Sequence, residues 1–157
     1  MPVPTLYEWI GGKEAINTLT AEFYQRVRQD DILAPIFEKM GADHPGHVAA
    51  FIGEVFGGPK TYSEQNGGHP AMIRHHLNRH LTENQRRRWI ALLLDTYEDL
   101  RLPNDPEFAS SLVGYLEWGS RLAVINSQAG AEPMVDSPMP GWGWGEVGGP
   151  YQPESQS

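Results

Sequence analysis

Apolar side chains along this chain return at helical intervals and nowhere keep up an alternation in steps of two, so the sequence predicts helices and no sheet. Ile16, Leu19, Phe23 and Val27 mark the inner stripe of a long helix entered at Gly11-Gly12 and left at Asp30-Asp31. Asp43 is placed to cap a second helix with Pro45 in its first turn; its stripe is Val48, Phe51, Ile52 and Val55, and Gly57-Gly58-Pro59 ends it. Thr82-Glu83-Asn84-Gln85 has the form of a capping box, in which the Thr and Gln side chains satisfy each other's free backbone N–H groups. Behind it Trp89, Leu93, Tyr97 and Leu100 share one stripe. Asn104-Asp105-Pro106-Glu107 opens a last helix faced by Phe108, Leu112, Tyr115, Gly119 and Leu122. The stretch from Gly57 to Thr82 shows no such period and reads as a long irregular connection, which inside a compact domain is usually functional.

The pattern stops near Ser127. From Gln128 to Ser157 the chain is Gly, Pro, Ser and acidic residues, with Pro133, Pro138, Pro140, Pro150 and Pro153 and no Lys or Arg. Such a composition buries too little apolar surface to offset its ordering entropy. The expectation is one helical domain over 1–127 and a disordered tail over 128–157 that folding does not need. Trp142 and Trp144, in Gly-Trp-Gly-Trp-Gly, are read as aromatics within that tail.

Composition narrows the chemistry. At 157 residues the chain supports a single core, and with Cys 0 it has no disulfide framework, no thiolate metal site and no covalent haem attachment. The formal net charge of -8 opposes binding to a phosphate backbone. Arg74, Arg79, Arg86, Arg87 and Arg88 form one basic cluster, expected to be a solvated helix face rather than a nucleic-acid patch. The start of the chain lacks the basic and apolar regions of a signal peptide, and its longest aliphatic run, Ile90 to Leu94, is too short to span a bilayer. The reading is a cytoplasmic protein with no membrane or nucleic-acid partner.

The most informative segment is Gly68-His69-Pro70-Ala71-Met72-Ile73-Arg74-His75-His76, which holds three of the six histidines. A neutral imidazole is a common iron ligand, and one suffices to hold a haem. Taken singly, such residues have plain readings: loop histidines are often solvated, and a Tyr or Trp on a helix face is usually core with its polar tip satisfied. Tyr24 on the inward edge of its helix, His44 one turn before Val48, and Trp89 at the head of its stripe are the other polar groups on apolar faces.

In combination these residues carry a resemblance. Leu6-Tyr7-Glu8-Trp9-Ile10-Gly11-Gly12, Phe23-Tyr24, Phe56-Gly57-Gly58-Pro59, Thr61-Tyr62-Ser63-Glu64, Gly68-His69-Pro70, a histidine seven residues after His69, and Trp89 stand in order between Thr5 and Ser127. The chain resembles the truncated haemoglobins, and their second group in particular. The resemblance implies an all-α, globin-like, two-over-two helical sandwich around a non-covalent haem b and its iron. Dioxygen, nitric oxide or carbon monoxide would be the ligands. It puts the iron ligand on His76 rather than its neighbour His75, the distal tyrosine on Tyr24, a ring packed on the haem on Phe37, and a ligand-donating tryptophan on Trp89. It puts the pocket-gating position on His44 and the next turn on Val48, and it adds His47, toward a haem propionate, and Tyr62 to the cofactor contacts. The chain departs from the group in having Phe at Phe37 where Tyr is frequent, His44 where Ala is frequent, His47 where Arg is common, and Leu77-Asn78-Arg79 where a small residue, Pro and Phe usually follow the ligating histidine.

The residue chemistry is consistent with that assignment. Phe37, Val48, Phe51, Ile73, Leu77 and Leu93 offer an apolar slot. The second ring nitrogen of His76 needs an acceptor to fix its tautomer. Donors at Tyr24, Trp89 and His44 would favour dioxygen, which gathers negative charge on a ferrous iron, over the less polar carbon monoxide. Three alternatives stay open: a nitric oxide dioxygenase or peroxidase-like enzyme served by an unidentified reductase; a haem-free helical interaction module; and a metal cluster of His69, His75, His76 and His80, which has no carboxylates at ligand spacing.

Overall fold

The computed structural model describes residues 2–133 and 137–150. Among them lie seven α-helices, one short 3-10 turn and no strand. The helices are α1 (Leu6–Ile10), α2 (Gly12–Gln29), α3 (His44–Val55), α4 (Thr61–Gln65), α5 (Gly68–His76), α6 (Glu83–Asp99) and α7 (Pro106–Asn126). α2 packs on α3, α6 packs on α7, and α2 also meets α6, so two helix pairs face each other; α5 reaches across to α7. None of these helices is long and apolar enough to cross a membrane.

Local sequence explains the element ends. Thr5 and Glu8 form a capping box that starts α1, a helix whose single turn is too short to leave a readable period. Gly11 then turns the chain into α2 at φ 117, and a Cβ there would stand 2.9 Å from the Ala15 Cβ. The stripe Ile16, Leu19, Phe23, Val27 is buried as its spacing predicts. The expected capping box at the head of α6 is present, with Thr82 Oγ1 accepting from the Gln85 N–H and Gln85 accepting from the Thr82 N–H. Asp105 caps α7 through the Phe108 N–H at 3.1 Å. Asp43 is the N-cap residue of α3, as expected, but its side chain makes no capping bond and faces His47 at 3.6 Å instead.

Three features differ from the sequence expectation. The connection from Gly57 to Thr82 is not irregular throughout, since α4 and α5 occupy most of it. These helices are short and bury few residues, Tyr62 in one and His69 and Ile73 in the other, so no amphipathic period could announce them. Arg86 is not on a solvated face. Its guanidinium is buried against Glu83 and Glu117 and also donates to the Ser120 hydroxyl, which ties α6 to α7. Arg88 likewise reaches back to Asp30.

The third difference concerns the tail. Residues 134–136 and 151–157 of the expected disordered tail lie outside the described residues. The stretch 137–150, by contrast, runs against the helices. The Trp142 N–H donates to the Val55 carbonyl at 2.8 Å, the Trp144 indole to the Pro4 carbonyl at 2.7 Å, and the Ser111 hydroxyl to the Trp144 carbonyl at 3.3 Å. The Trp144 ring sits 6.0 Å from Trp9 and 6.2 Å from Phe108. Two large aromatic anchors thus supply the apolar burial that the segment's average composition lacks.

Phe108 is fully buried where α6, α7 and the tail meet, between the rings of Phe56, Tyr97 and Trp144. Phe108→Ala is expected to cost about 3–5 kcal/mol by urea unfolding, from lost transfer energy and the void left behind. A loss below about 1 kcal/mol would mean the site collapses freely and does not join the three elements.

Candidate functional site

Between the helix pairs lies a cavity of about 550 Å³, within the ~300–1,000 Å³ usual for cofactor pockets. Tyr24, Phe37, His44, His47, Val48, Tyr62, His76 and Trp89 all line it. α2 brings Tyr24, the loop after it Phe37, and the first turns of α3 His44, His47 and Val48. α4 brings Tyr62, α5 His76 and α6 Trp89. Of the apolar residues expected in the slot, Phe37, Val48, Phe51 and Ile73 line it, whereas Leu77 and Leu93 do not. Leu93 turns instead into the core between helices. Leu33, Ile36, Met40 and Met72 also belong to the apolar wall, with Ile52 and Leu122 from the predicted stripes, and no period in the sequence singles out the first four.

His76 closes α5, and the helix itself prepares its imidazole. Nδ1 stands 2.9 Å from the carbonyl of Met72, one turn earlier. A carbonyl only accepts, so Nδ1 carries the hydrogen and Nε2 keeps its lone pair. Burial pulls the His76 pKa down from 6.5 to about 4, with the Met72 bond opposing and the charges of Arg79, His75 and His44 adding to the fall. Both conditions for a neutral nitrogen ligand are therefore met at one residue. His75, next to it, is exposed.

Burial also favours the neutral forms of Tyr24, His44 and Tyr62 on the wall. Burial pushes the Tyr24 hydroxyl well above its ordinary value, only partly offset by the Trp89 side chain, so it remains a donor. Its ring meets His44 edge-on at 4.8 Å and Phe37 at 5.5 Å. His44 is lowered by burial first and then by the charges of His75, His47 and Arg79. Trp89 packs edge-on against Phe23 at 5.4 Å. Burial also raises Tyr62, whose ring crosses Phe51 at 5.0 Å.

Two buried side-chain atoms among the described residues have no hydrogen-bond partner, His44 Nε2 and His69 Nδ1, and both rings line this cavity. Buried polar atoms of this kind are costly unless something satisfies them. Sequence reasoning used His69 as part of Gly-His-Pro and of the alternative histidine cluster; nothing in either shows that the ring is buried, 6.3 Å from Phe51. Apolar walls, one neutral imidazole with a free lone pair and two unsatisfied ring nitrogens fit a flat, mostly apolar macrocycle with a metal at its centre. His69, His75, His76 and His80 do not gather as a metal cluster: among the described residues no group of three or more His, Cys, Asp or Glu could hold an ion.

Comparison with known proteins agrees with this geometry. The family model described as bacterial-like globin matches residues 5–116. A group 2 truncated hemoglobin from Bacillus subtilis is 30% identical over 123 residues, 78% of this chain and 90% of the relative. A group 1 truncated hemoglobin from Nostoc sp. is 43% identical over 67 residues, but the match spans 42% of this chain and only 53% of that protein's length. The solved structure of a truncated oxygen-avid haemoglobin from Bacillus subtilis superposes with a TM-score of 0.68 at 30% identity, covering 77% of this chain and 99% of the other.

The His76 shift has a consequence for the chain without cofactor. Its folded pKa, about 4, lies below the ordinary 6.5, so between those values the unfolded chain binds the proton and the folded chain does not. The stability contributed by this group is complete above pH 6.5 and lost as pH falls toward 4. Melting of the cofactor-free chain and of His76→Phe between neutral and acidic pH is expected to show a shallower fall for the variant. Parallel curves would mean that His76 is not held neutral.

Proposed function

This chain belongs to the bacterial-like globin family and is a truncated haemoglobin, and from that footing we propose that it holds haem b through His76 and reversibly binds dioxygen. The observation that carries this reading is the His76 ring, fixed by Met72 with its free nitrogen in an apolar cavity of about 550 Å³. Haem would supply an iron able to bind a diatomic ligand. Everything else falls to the chain. His76 Nε2 donates its lone pair while Nδ1–H stays on Met72. Phe37, Val48, Phe51 and Ile73 exclude water from the slot. His47, exposed at the mouth, would meet a haem propionate, and Tyr62, which burial keeps protonated, would be a further contact to the cofactor. Tyr24, Trp89 and His44 supply donors that favour a ligand gathering negative charge, hence dioxygen over carbon monoxide. Carbon monoxide and nitric oxide would enter the same pocket. Support comes also from the Bacillus subtilis protein, described as oxygen-avid, whose structure this chain shares in outline.

His44 favours a second reading. Its buried Nε2 is neutral and unpartnered, so it can take a proton from an incoming peroxide, as a peroxidase-like enzyme requires. A nitric oxide dioxygenase would use the same donors and draw electrons from a reductase. The first experiment is an absorption spectrum of the purified protein with haem added. A Soret band that shifts with carbon monoxide is expected. No band would overturn the reading in favour of a haem-free interaction module.

His76→Ala is expected to abolish haem retention, and His75→Ala to leave it intact; the reverse result would show that the neighbouring histidine is the ligand. A hydrogen bond from Tyr24 or Trp89 to the ligand is worth about 1–3 kcal/mol, so losing either speeds dioxygen dissociation about tenfold or more. Stopped-flow dissociation of Tyr24→Phe, Trp89→Phe and the double variant tests this. Unchanged rates in all three would remove both residues from the ligand site.

A further inference from the structure

The cavity does not end at Trp89. It continues along α7, where Tyr115, Trp118 and Gly119 belong to its wall. That part of the wall is thin, for Trp118 is itself 40% exposed. Behind both rings lies Trp142, 5.7 Å from Tyr115 and 5.7 Å from Trp118. The same indole lies over Gly114, where an added Cβ would stand 3.6 Å away, so it lies close against the helix. Its position is fixed by the main-chain bond to Val55 and by Trp144 two residues on, which is held by Pro4, Ser111, Trp9 and Phe108. None of those four residues borders the cavity, so anchoring and covering fall to different residues of one segment.

We propose that residues 141–145 are an intramolecular strap, anchored by Trp144, whose Trp142 seals the α7 wall of the cavity against a second entrance for small apolar molecules. The physical basis is the loss of contacts on one side of a ring. Tyr115 and Trp118 are packed between the cavity and Trp142. Without that indole both rings lose a packing partner on that side, Trp118 most of all because Tyr115 keeps Phe56 at 5.5 Å, and rotamer changes that open a gap meet less resistance. The species admitted would be small uncharged diatomics, because the wall offers rings rather than a polar path. The inference deepens the haem-ligand reading, and its carbon monoxide arm rests on that reading.

The test uses the full chain with Trp142→Ala, the milder Trp142→Leu, and Trp142→Phe, which keeps a ring. In haem-loaded protein, carbon monoxide association after flash photolysis is expected to quicken severalfold in Trp142→Ala and Trp142→Leu and to return toward the parent rate in Trp142→Phe. A merely structural role would lower the melting temperature and leave association unchanged, and that outcome overturns the proposal. A second arm needs no haem. Xenon is the probe, and its exchange in and out of the cavity, followed by xenon NMR in the haem-free chain, is expected to quicken in the same two variants. If no variant binds carbon monoxide, the haem reading fails and the xenon arm alone decides the strap; equal xenon exchange in all chains overturns it.

Discussion

Burial of the α2 and α3 stripes against α6 and α7 draws this chain together, yet the same packing leaves about 550 Å³ that its own side chains do not fill. Protein interiors normally close such spaces, because lining atoms without neighbours forfeit dispersion contacts. A cavity of this size, walled by Phe37, Val48, Phe51, Met72 and Ile73, therefore sets the terms for the rest of the fold. The helices cannot approach more closely without expelling those side chains. His44 Nε2 and His69 Nδ1 stand unpaired at this wall.

A common mechanism governs the polar groups in this setting. Low polarity disfavours charge, so His44 and His76 are driven toward free bases and Tyr24 and Tyr62 toward retained protons. At His76 this yields a donor of electrons, at Tyr24 a donor of hydrogen, from the same cause. The fold needs no dedicated carboxylate partner for either. Only the Met72 carbonyl, supplied by one turn of α5, is required to set the direction of the His76 ring.

How much of this could be read from the sequence depends on the length over which a signal is spread. α2, α3, α6 and α7 were legible because each repeats its apolar residues over three or more turns, and the capping box at Thr82 marks a start with two mutually bonded side chains. α1, α4 and α5 were illegible as helices because each is too short, or too polar, to establish a period. All eight candidate site residues line the cavity although they come from six separate parts of the chain; spacing alone brings none of them together, and the motif resemblance did. Leu93 was misplaced because a stripe gives the buried side of a helix without saying which neighbour it meets. Arg86 was misread because charge patterns are one-dimensional, and its partner Glu117 lies on another helix. The two tail tryptophans were visible, but their targets Val55, Pro4 and Ser111 are not signalled by anything local.

Ser127 is the residue at which the apolar pattern of the chain finishes, and it is fully buried. Its carbonyl accepts the His80 N–H and its hydroxyl accepts the Leu81 N–H, while Asn78 and His80 take left-handed backbone at φ 60 and φ 51. The turn that follows His76 is thereby buckled to the end of the last helix. That turn and the carboxyl end of the helical unit share one rivet. Anyone splicing this globin to a second domain inherits that joint: a seam cut one residue early would leave the histidine's trailing loop holding on to nothing.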